Sequence, residues 1–213
     1  MNLNEELEKY ISEHISEEDE LLKEINRQTH LKMIHPRMLS GHIQGKLLEM
    51  LSKMINPKNI LEIGTYTGYS ALCLAKGLQK NGKLITIEIN DELQEFTQNF
   101  FNKSSYTNQI NFLIGDALEI IPNIDTTFDL VFIDGDKSSY IEYFDTVIEK
   151  VHKNGFIIAD NTLWSGKVLE KNIKNNDYFT KGIIKFNDYV RNNSKVDVAL
   201  IPVRDGITIL QKK

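Results

Sequence analysis

The chain has 213 residues, of which 41% are hydrophobic and 26% are charged, a balance typical of a globular protein with a sizeable core. This composition excludes an intrinsically disordered chain. The net charge of -5 argues against broad binding of nucleic acid, although a local basic patch is compatible with it. At about 150 residues per domain, the length favours one large domain over residues 1–213.

The sequence pattern predicts neither a signal peptide nor a membrane span. The acidic first twenty residues lack the apolar run of a signal peptide, and no segment reaches the ~18 apolar residues that a membrane span needs. We therefore expect a cytoplasmic protein that does not enter a membrane. The single cysteine, Cys73, lies in an apolar helical run, which predicts a buried structural thiol.

Helical spacing dominates the first 55 residues. The apolar residues that recur at this spacing in the first helix are Leu3, Leu7, Tyr10 and Ile11. Ser16 and Asp19 resemble a capping box that opens a second helix. A third helix is predicted to start near Ser40 and to stop at Asn56-Pro57.

Beyond residue 56, short apolar runs alternate with helical segments. The strand-like runs are NILEI, KLITIEI, INFLI, FDLVFI and GFIIA. This alternation predicts βαβ units and a parallel sheet. Two further strand-like runs at the end of the chain, KVDVALIPV and GITILQK, are separated by Arg204-Asp205, with Gly206 next, which predicts a hairpin and one antiparallel strand. The polar segment 171–177 is predicted to be a mobile loop.

The first strand-to-helix turn, EIGTYTGYS, contains Gly64 and Gly68, which permit a tight turn and a close ligand approach. The dinucleotide fingerprint G-x-G-x-x-G is missing. Glu88 ends the second strand 24 residues after Gly64, a position from which a carboxylate can accept both hydroxyls of a ribose. These features fit a nucleoside ligand without a diphosphate. A purely structural loop with a solvated acid is the alternative, because tight turns need glycine in any case.

Oxygen-bearing side chains follow two later strands. Asp134 comes after the fourth strand, and Asp160 and Asn161 come after the fifth. The carboxyl ends of parallel strands meet at one edge of a sheet, so these oxygens would suit Mg²⁺, Mn²⁺ or Ca²⁺ rather than zinc. The alternative is that the two aspartates only cap the following turns. Asp136 is predicted to start a helix.

Lys137 lies three residues beyond Asp134 and could reach the same pocket. A neighbouring divalent cation disfavours an ammonium group and lowers its pKa, which would let the lysine act as a general base. A solvated loop lysine is the alternative interpretation.

Four segments together resemble the cation-dependent class I O-methyltransferases, similar to catechol and caffeoyl-coenzyme A O-methyltransferases. They are EIGTYTGYS at 62–70, FIDGDKSSY at 132–140, ADNTLWSGKV at 159–168 and IPVRDGITI at 201–209. The resemblance runs from about Met38 to the C-terminus. It implies an α/β, Rossmann-like, seven-stranded methyltransferase fold, mostly parallel with an antiparallel last strand. Residues 1–55 would form extra helices that cover the cofactor and substrate, residues 56–213 the catalytic core, and the protein would be a homodimer.

The same resemblance implies the site residues. Those expected to bind the cofactor S-adenosylmethionine (SAM) are Met38, Ser40, Gln44, Glu62, Gly64, Tyr66, Ser70, Glu88, Asp116, Ala117 and Asp134. Glu88 would hold the ribose, and Asp116 with Ala117 would lie by the adenine. The implied metal ligands are Asp134, Asp160 and Asn161, with Mg²⁺ expected before Mn²⁺ or Ca²⁺, and Lys137 is the implied base. The residues expected to contact the substrate are Met38, Lys137, Asn161 and Trp164.

The function implied is metal-dependent methylation of a hydroxyl on a small catechol-type molecule. A related branch of the family methylates 5-hydroxyuridine in transfer RNA, which is the alternative. The lysines that could form a basic rim for RNA are Lys167, Lys171, Lys174, Lys181 and Lys185. The net negative charge of the chain argues against an RNA substrate. The NTLWSG segment, which resembles the small-molecule branch of the family, argues against it as well. The intact ligand and base set counts against a third interpretation, a non-catalytic nucleotide-binding module.

Overall fold

A computed structural model of the chain describes residues 5–213, in two compact units that meet in sequence after Asp116. Within these residues the helices are α1 (Glu5–His14), α2 (Glu20–Lys32), α3 (Gly41–Ile55), α4 (Tyr69–Ala75), α5 (Gln94–Lys103), α6 (Ala117–Ile120), α7 (Tyr140–Ile148) and α8 (Tyr178–Arg191). The strands are β1 (Asn59–Ile63), β2 (Lys83–Glu88), β3 (Ile110–Ile114), β4 (Phe128–Ile133), β5 (Val151–Asp160), β6 (Val196–Ile201) and β7 (Ile207–Lys212). Leu3 of the first predicted helix lies outside the described residues.

The strands form a seven-stranded sheet in the order β3-β2-β1-β4-β5-β7-β6. In the first unit β1 pairs with β2 and β2 with β3, all parallel. In the second unit β4 and β5 are parallel, whereas β7 runs antiparallel to both β5 and β6. This confirms the predicted α/β fold, mostly parallel with an antiparallel last strand. The predicted hairpin is also present, and its second strand lies between β5 and β6.

The predicted helix boundaries in the first unit hold with one correction. The N-cap of α2 is Asp19, whose side chain accepts a hydrogen bond from the backbone N–H of Leu22 at 2.9 Å. Ser16 is therefore not the cap, because the chain stays extended at Asp19 and the helix begins only at Glu20. The third helix ends where predicted, since Asn56 adopts a left-handed φ of 52°.

A buried carboxylate ties three helices of the first unit together. Glu49 on α3 accepts hydrogen bonds from Lys46 at 2.9 Å, Lys53 at 2.6 Å and Lys76 at 3.2 Å. Lys76 also forms an ion pair with Asp19 at 2.8 Å. Burial would raise the pKa of Glu49, but the three ammonium groups outweigh it and lower this pKa to about 2.

The Glu49 cluster should stabilise the fold in a pH-dependent way. Because the folded-state pKa lies below the ordinary value of 4.5, the stabilisation is present above pH 4.5 and is lost as the pH falls toward 2. We expect Glu49→Gln to lower the free energy of unfolding by about 1–3 kcal/mol at pH 7 and by less at pH 3. Denaturant unfolding at both pH values measures this, with Glu13→Gln on the exposed face of α1 as the control. A difference of equal size at both pH values would contradict the prediction.

The second unit contains a helix that the sequence analysis missed. α8 follows the predicted polar loop, and residues 171–177 indeed form no helix or strand. Its buried side chains Ile183, Phe186 and Val190 recur at helical spacing, and the side chain of Asp177 caps its N-terminus at the backbone N–H of Thr180. The signal was thus present in the sequence. The surrounding lysines and asparagines obscured it.

Two smaller predictions concern Cys73 and membranes. Cys73 is buried on α4, as predicted, and burial raises the pKa of its thiol. In the part of the chain that the structure describes, every helix is too short or too polar to cross a bilayer.

Candidate active site

The turn after β1 requires both of its glycines. Gly64 and Gly68 have φ values of 94° and 85°, a region that side-chain-bearing residues rarely adopt. A Cβ atom on Gly68 would also lie 2.7 Å from the ring of Phe101. The backbone of this turn is therefore fixed by local sterics.

Tyr66, at the centre of the turn, is held in a left-handed conformation with a φ of 50°. Its backbone N–H donates to Glu88 at 2.7 Å, and its carbonyl accepts from Thr97 at 2.8 Å. Its hydroxyl donates to the carbonyl of His35 at 3.0 Å. Strained residues of this kind persist where surrounding contacts over-determine them, which is typical of ligand-binding sites.

Glu88 at the end of β2 is a buried acid with fixed orientation, and the predicted alternative of a solvated acid is wrong. Its side chain is 8% exposed in the described structure. One carboxylate oxygen accepts the N–H of Tyr66 and the other accepts the N–H of Asn90 at 3.0 Å. Each oxygen keeps a second lone pair, so the carboxylate can still accept hydrogen bonds from two ligand hydroxyls.

Glu62 at the end of β1 is fully buried. The hydroxyl of Thr86 donates to its carboxylate at 2.5 Å, and the Thr65 hydroxyl lies 2.5 Å from that of Thr86. A second buried pair, Thr29 and Thr67 at 3.0 Å, connects α2 to the glycine turn. These contacts fix the carboxylate and the turn relative to β1, β2 and α2.

The other predicted cofactor residues differ in exposure. The buried ones in the first unit are Ser40, Gln44 and Ser70. Met38 is 60% exposed in a short 3₁₀ turn just before α3. Asp116 is half-buried at the end of this unit, and Ala117 begins α6 in the second unit.

The second unit brings Asp134 and Asp160 to the same level of the sheet. The register pairs Ile133 of β4 with Ala159 of β5, so the two aspartates follow at neighbouring strand ends. Asp160 is 3% exposed and accepts the N–H of Asn161 at 2.7 Å. Asn161 has a φ of 58°, a left-handed conformation that asparagine tolerates well.

The predicted alternative, in which the aspartates only cap turns, does not describe Asp134. Its carboxylate accepts from the Lys137 ammonium at 2.7 Å, whereas Asp136 is the residue that caps the next turn, at the N–H of Ser138. Among residues 5–213, no cluster of three or more His, Cys, Asp or Glu side chains is arranged for a metal ion. A cation on the predicted ligands would therefore need the amide oxygen of Asn161 and further oxygens from water or substrate.

Lys137 is buried among acceptors, with a side chain that is 11% exposed. Its Nζ lies 2.7 Å from Asp134 and 2.8 Å from the Tyr140 hydroxyl. Burial would lower the pKa of the ammonium, but Asp134, Tyr140 and Asp160 outweigh it and raise the pKa. The lowered pKa that the sequence predicts for Lys137 refers to a site in which a divalent cation is bound.

Trp164 lies in a loop of unusual backbone conformation. Its φ is 47°, and its backbone N–H is shared by the carbonyls of Asn161 and Asp205, both at 3.1 Å. Its ring packs edge-on against Phe179 at 6.2 Å. The bond to Asp205 holds the loop against the β6–β7 turn, and the bond to Asn161 keeps the backbone of Trp164 next to that residue.

The lysines proposed as a basic rim are mostly solvent-exposed. The exposed ones are Lys167, Lys171, Lys174 and Lys185. Lys167 lies 3.9 Å from Asp177, and Lys181 donates to the carbonyl of Asn175. Two of the five lysines thus interact with nearby residues of the same segment.

Comparison with known proteins identifies the family. A family model described as O-methyltransferase matches residues 12–213. The caffeoyl-CoA O-methyltransferase of Petroselinum crispum is 34% identical over 210 residues, which cover 92% of this chain and 85% of that protein. Caffeoyl-CoA O-methyltransferase 5 of Nicotiana tabacum is 32% identical over 210 residues, which cover 92% of this chain and 85% of that protein.

Two solved structures share the fold along almost the whole chain. The O-methyltransferase TomG from Streptomyces achromogenes, solved in complex with SAM, is 28% identical, with a TM-score of 0.90 over 98% of this chain and 96% of that one. An O-methyltransferase from Bacillus cereus, solved with SAH, is 26% identical, with a TM-score of 0.89 over 96% of each chain.

The fold and these similarities define a SAM-dependent methyltransferase. More particularly, the chain belongs to the O-methyltransferase family, which confirms the family predicted from the four motifs.

Proposed function

We propose that this O-methyltransferase methylates one hydroxyl of a small catechol-type molecule, with a divalent cation at Asp134, Asp160 and Asn161 and with Lys137 as general base. The observation that carries the proposal is the buried Lys137 ammonium, 2.7 Å from Asp134 at the carboxyl end of β4. A buried lysine and two carboxylates at neighbouring strand ends are the groups needed to bind and deprotonate a hydroxyl. The caffeoyl-CoA relatives, named for an acceptor of this chemical class, support it.

The first unit would bind the cofactor. SAM supplies an electrophilic methyl group on a positively charged sulfur. Glu88 would accept the ribose hydroxyls with the lone pairs that its two backbone donors leave unused. The turn around Gly64 and Tyr66 and the buried Glu62 would bind the methionine part, and Asp116 would lie by the adenine.

The donor set of the second unit fits a hard cation. Two carboxylates and an amide are all oxygen donors, which Mg²⁺ and Mn²⁺ prefer. When bound, such a cation would position the acceptor and make its hydroxyl more acidic. Asp134 and Asp160 would each supply a negative oxygen, and Asn161 would present its amide from the left-handed backbone position that follows β5.

Lys137 would take the proton from the acceptor hydroxyl. To do so it must first lose its own proton, and the neighbouring carboxylates oppose that loss while they are not shared with a cation. Trp164 would form an apolar wall for the aromatic acceptor. Met38, an exposed residue of the first unit, would contact SAM and the acceptor. A homodimer, a cytoplasmic location and a single functional domain with residues 1–55 as a cover stay predictions.

The decisive experiment is transfer of a labelled methyl group from SAM to two acceptors, a catechol in one reaction and total transfer RNA in another. We expect label in the catechol, loss of transfer on thorough chelation, and recovery with Mg²⁺ or Mn²⁺. The exposed lysines of the 167–185 segment are the feature that favours RNA. Label in the RNA alone would therefore replace the proposed acceptor, and full activity after chelation would refute the metal site.

Removal of the Glu88 carboxylate should weaken SAM binding. Glu88→Ala deletes the proposed acceptor of the ribose hydroxyls and also leaves the N–H groups of Tyr66 and Asn90 without their partner. We expect a loss of about 1.5–3 kcal/mol in binding free energy, measured by calorimetry. Glu92→Ala on the following exposed turn is the control. An unchanged dissociation constant would show that Glu88 does not contact the cofactor.

A further inference from the structure

Tyr140 is a fully buried tyrosine that the sequence analysis assigned no role. It is the first residue of α7 and lies three positions after Lys137. Its ring packs edge-on against Phe186 of α8 at 5.4 Å. Packing alone would be served equally well by phenylalanine, so the hydroxyl group calls for its own explanation.

The hydrogen bonds of this hydroxyl have a defined direction. Its oxygen lies 3.1 Å from the carbonyl oxygen of Asp160 and 3.3 Å from that of Ile133. Carbonyl oxygens only accept, so the phenol proton must be directed to them. The phenol oxygen therefore faces Lys137 with a lone pair, and the Lys137 Nζ donates to it at 2.8 Å.

This direction fixes the orientation of the lysine head group. Nζ is tetrahedral, with one position taken by Cε, one by the bond to Asp134 and one by the bond to Tyr140. One position is left. In the neutral amine, the two remaining N–H groups stay on Asp134 and Tyr140, and the lone pair takes that last position.

We infer that Tyr140 is a positioning residue that aims the basic lone pair of Lys137, with its hydroxyl anchored to the ends of β4 and β5. The inference rests on the proposed role of Lys137 as base. The phenol acts through the lysine and does not contact the acceptor. Its removal should therefore slow turnover without weakening the binding of the acceptor or SAM. A proton acceptor misdirected by a fraction of an ångström loses much of its effect on rate.

Helix α8 packs closely against the backbone of Lys137. A Cβ atom on Gly182 would lie 2.4 Å from the Lys137 carbonyl oxygen and 2.9 Å from the Ser138 Cα. These are backbone atoms that cannot rotate away. Gly182→Ala should therefore displace the Lys137 backbone.

The test is a double-mutant cycle on the labelled-methyl assay, under single-turnover conditions sensitive enough for slow variants. Tyr140→Phe should lower the rate by about 10- to 100-fold with little change in the acceptor concentration that gives half the maximal rate or in the dissociation constant of SAM. In a Lys137→Ala background, the same substitution should cause no further loss. Tyr189→Phe, which removes a phenol that donates to Asp145 on the surface, is the matched control and should leave the rate unchanged.

Equal losses from Tyr140→Phe with and without Lys137 would overturn the inference, because the tyrosine would then act independently of the lysine. No loss in the wild-type background would overturn it as well. If Tyr140→Phe melts below the assay temperature, the whole cycle is run at a lower temperature at which all four proteins are folded, with the same expected outcome. Full turnover of Lys137→Ala itself would instead refute the proposed base, which separates the two failures.

Discussion

Asp160→Ala should abolish methyl transfer, with a loss of about 10³-fold or more, while SAM binding stays within a fewfold of wild type. Asp160 is a 3% exposed carboxylate at the end of β5 and one of the two anionic oxygens proposed to hold a cation. The residues proposed to bind SAM through its ribose and methionine groups lie in the first unit, on β1, β2 and their turns. Turnover with labelled SAM measures the first effect, and calorimetry measures the second.

A matched pair of variants separates charge from structure. Asp160→Asn keeps the volume and the oxygen that accepts the Asn161 N–H at 2.7 Å, but it removes the negative charge. We expect it to fold like wild type and to lose nearly as much activity as Asp160→Ala. Asp136→Ala removes only the cap of the neighbouring turn and should keep most of the activity. If SAM binding and thermal unfolding collapse together in Asp160→Asn, Asp160 is a structural residue and the ligand assignment fails.

The sheet could be predicted because its signals are local. Runs such as FDLVFI and GFIIA are buried on both faces, so nearly every residue is apolar, and the glycines between them mark the turns. The same argument predicts that Asp134 and Asp160 leave adjacent strands together, which the register of β4 and β5 confirms. Cap positions are less predictable, because Ser16 and Asp19 both have side chains suited to an N-cap.

What the sequence could not predict is which polar groups share partners across distant segments. Nothing in the order of residues shows that Glu88 accepts the N–H of Tyr66, or that Glu49 accepts from two lysines of α3 and from the lysine that follows α4. The hydroxyl of Tyr140 is a similar case, since its bonds to Asp160 and Lys137 exist only once α7 has packed on the sheet. The sequence alone shows which types of side chain lie at the site. The directions of their hydrogen bonds are seen only in the folded structure.

Lys137→Ala should lower turnover by ~10²–10⁴-fold while the Michaelis constant of a catechol changes little. The reason is that the lysine would move a proton, whereas Asp134, Asp160 and Asn161 would hold the acceptor. An acceptor with a more acidic hydroxyl, such as a nitrocatechol, should be less sensitive to the substitution because its proton is lost more easily. Lys150→Ala removes a half-buried lysine that donates to the carbonyl of Ile124, and as the control it should keep full turnover.

Added small amines sharpen this test. The substitution removes a buried side chain beside Asp134 and Tyr140, so ethylamine could occupy the space with its nitrogen near both former partners. We expect partial recovery of turnover that saturates with amine concentration in Lys137→Ala and no response in wild type. If instead every acceptor suffers the same loss and no amine restores the rate, Lys137 serves only to place Asp134. The acceptor proton would then have to leave to solvent without a side chain to receive it.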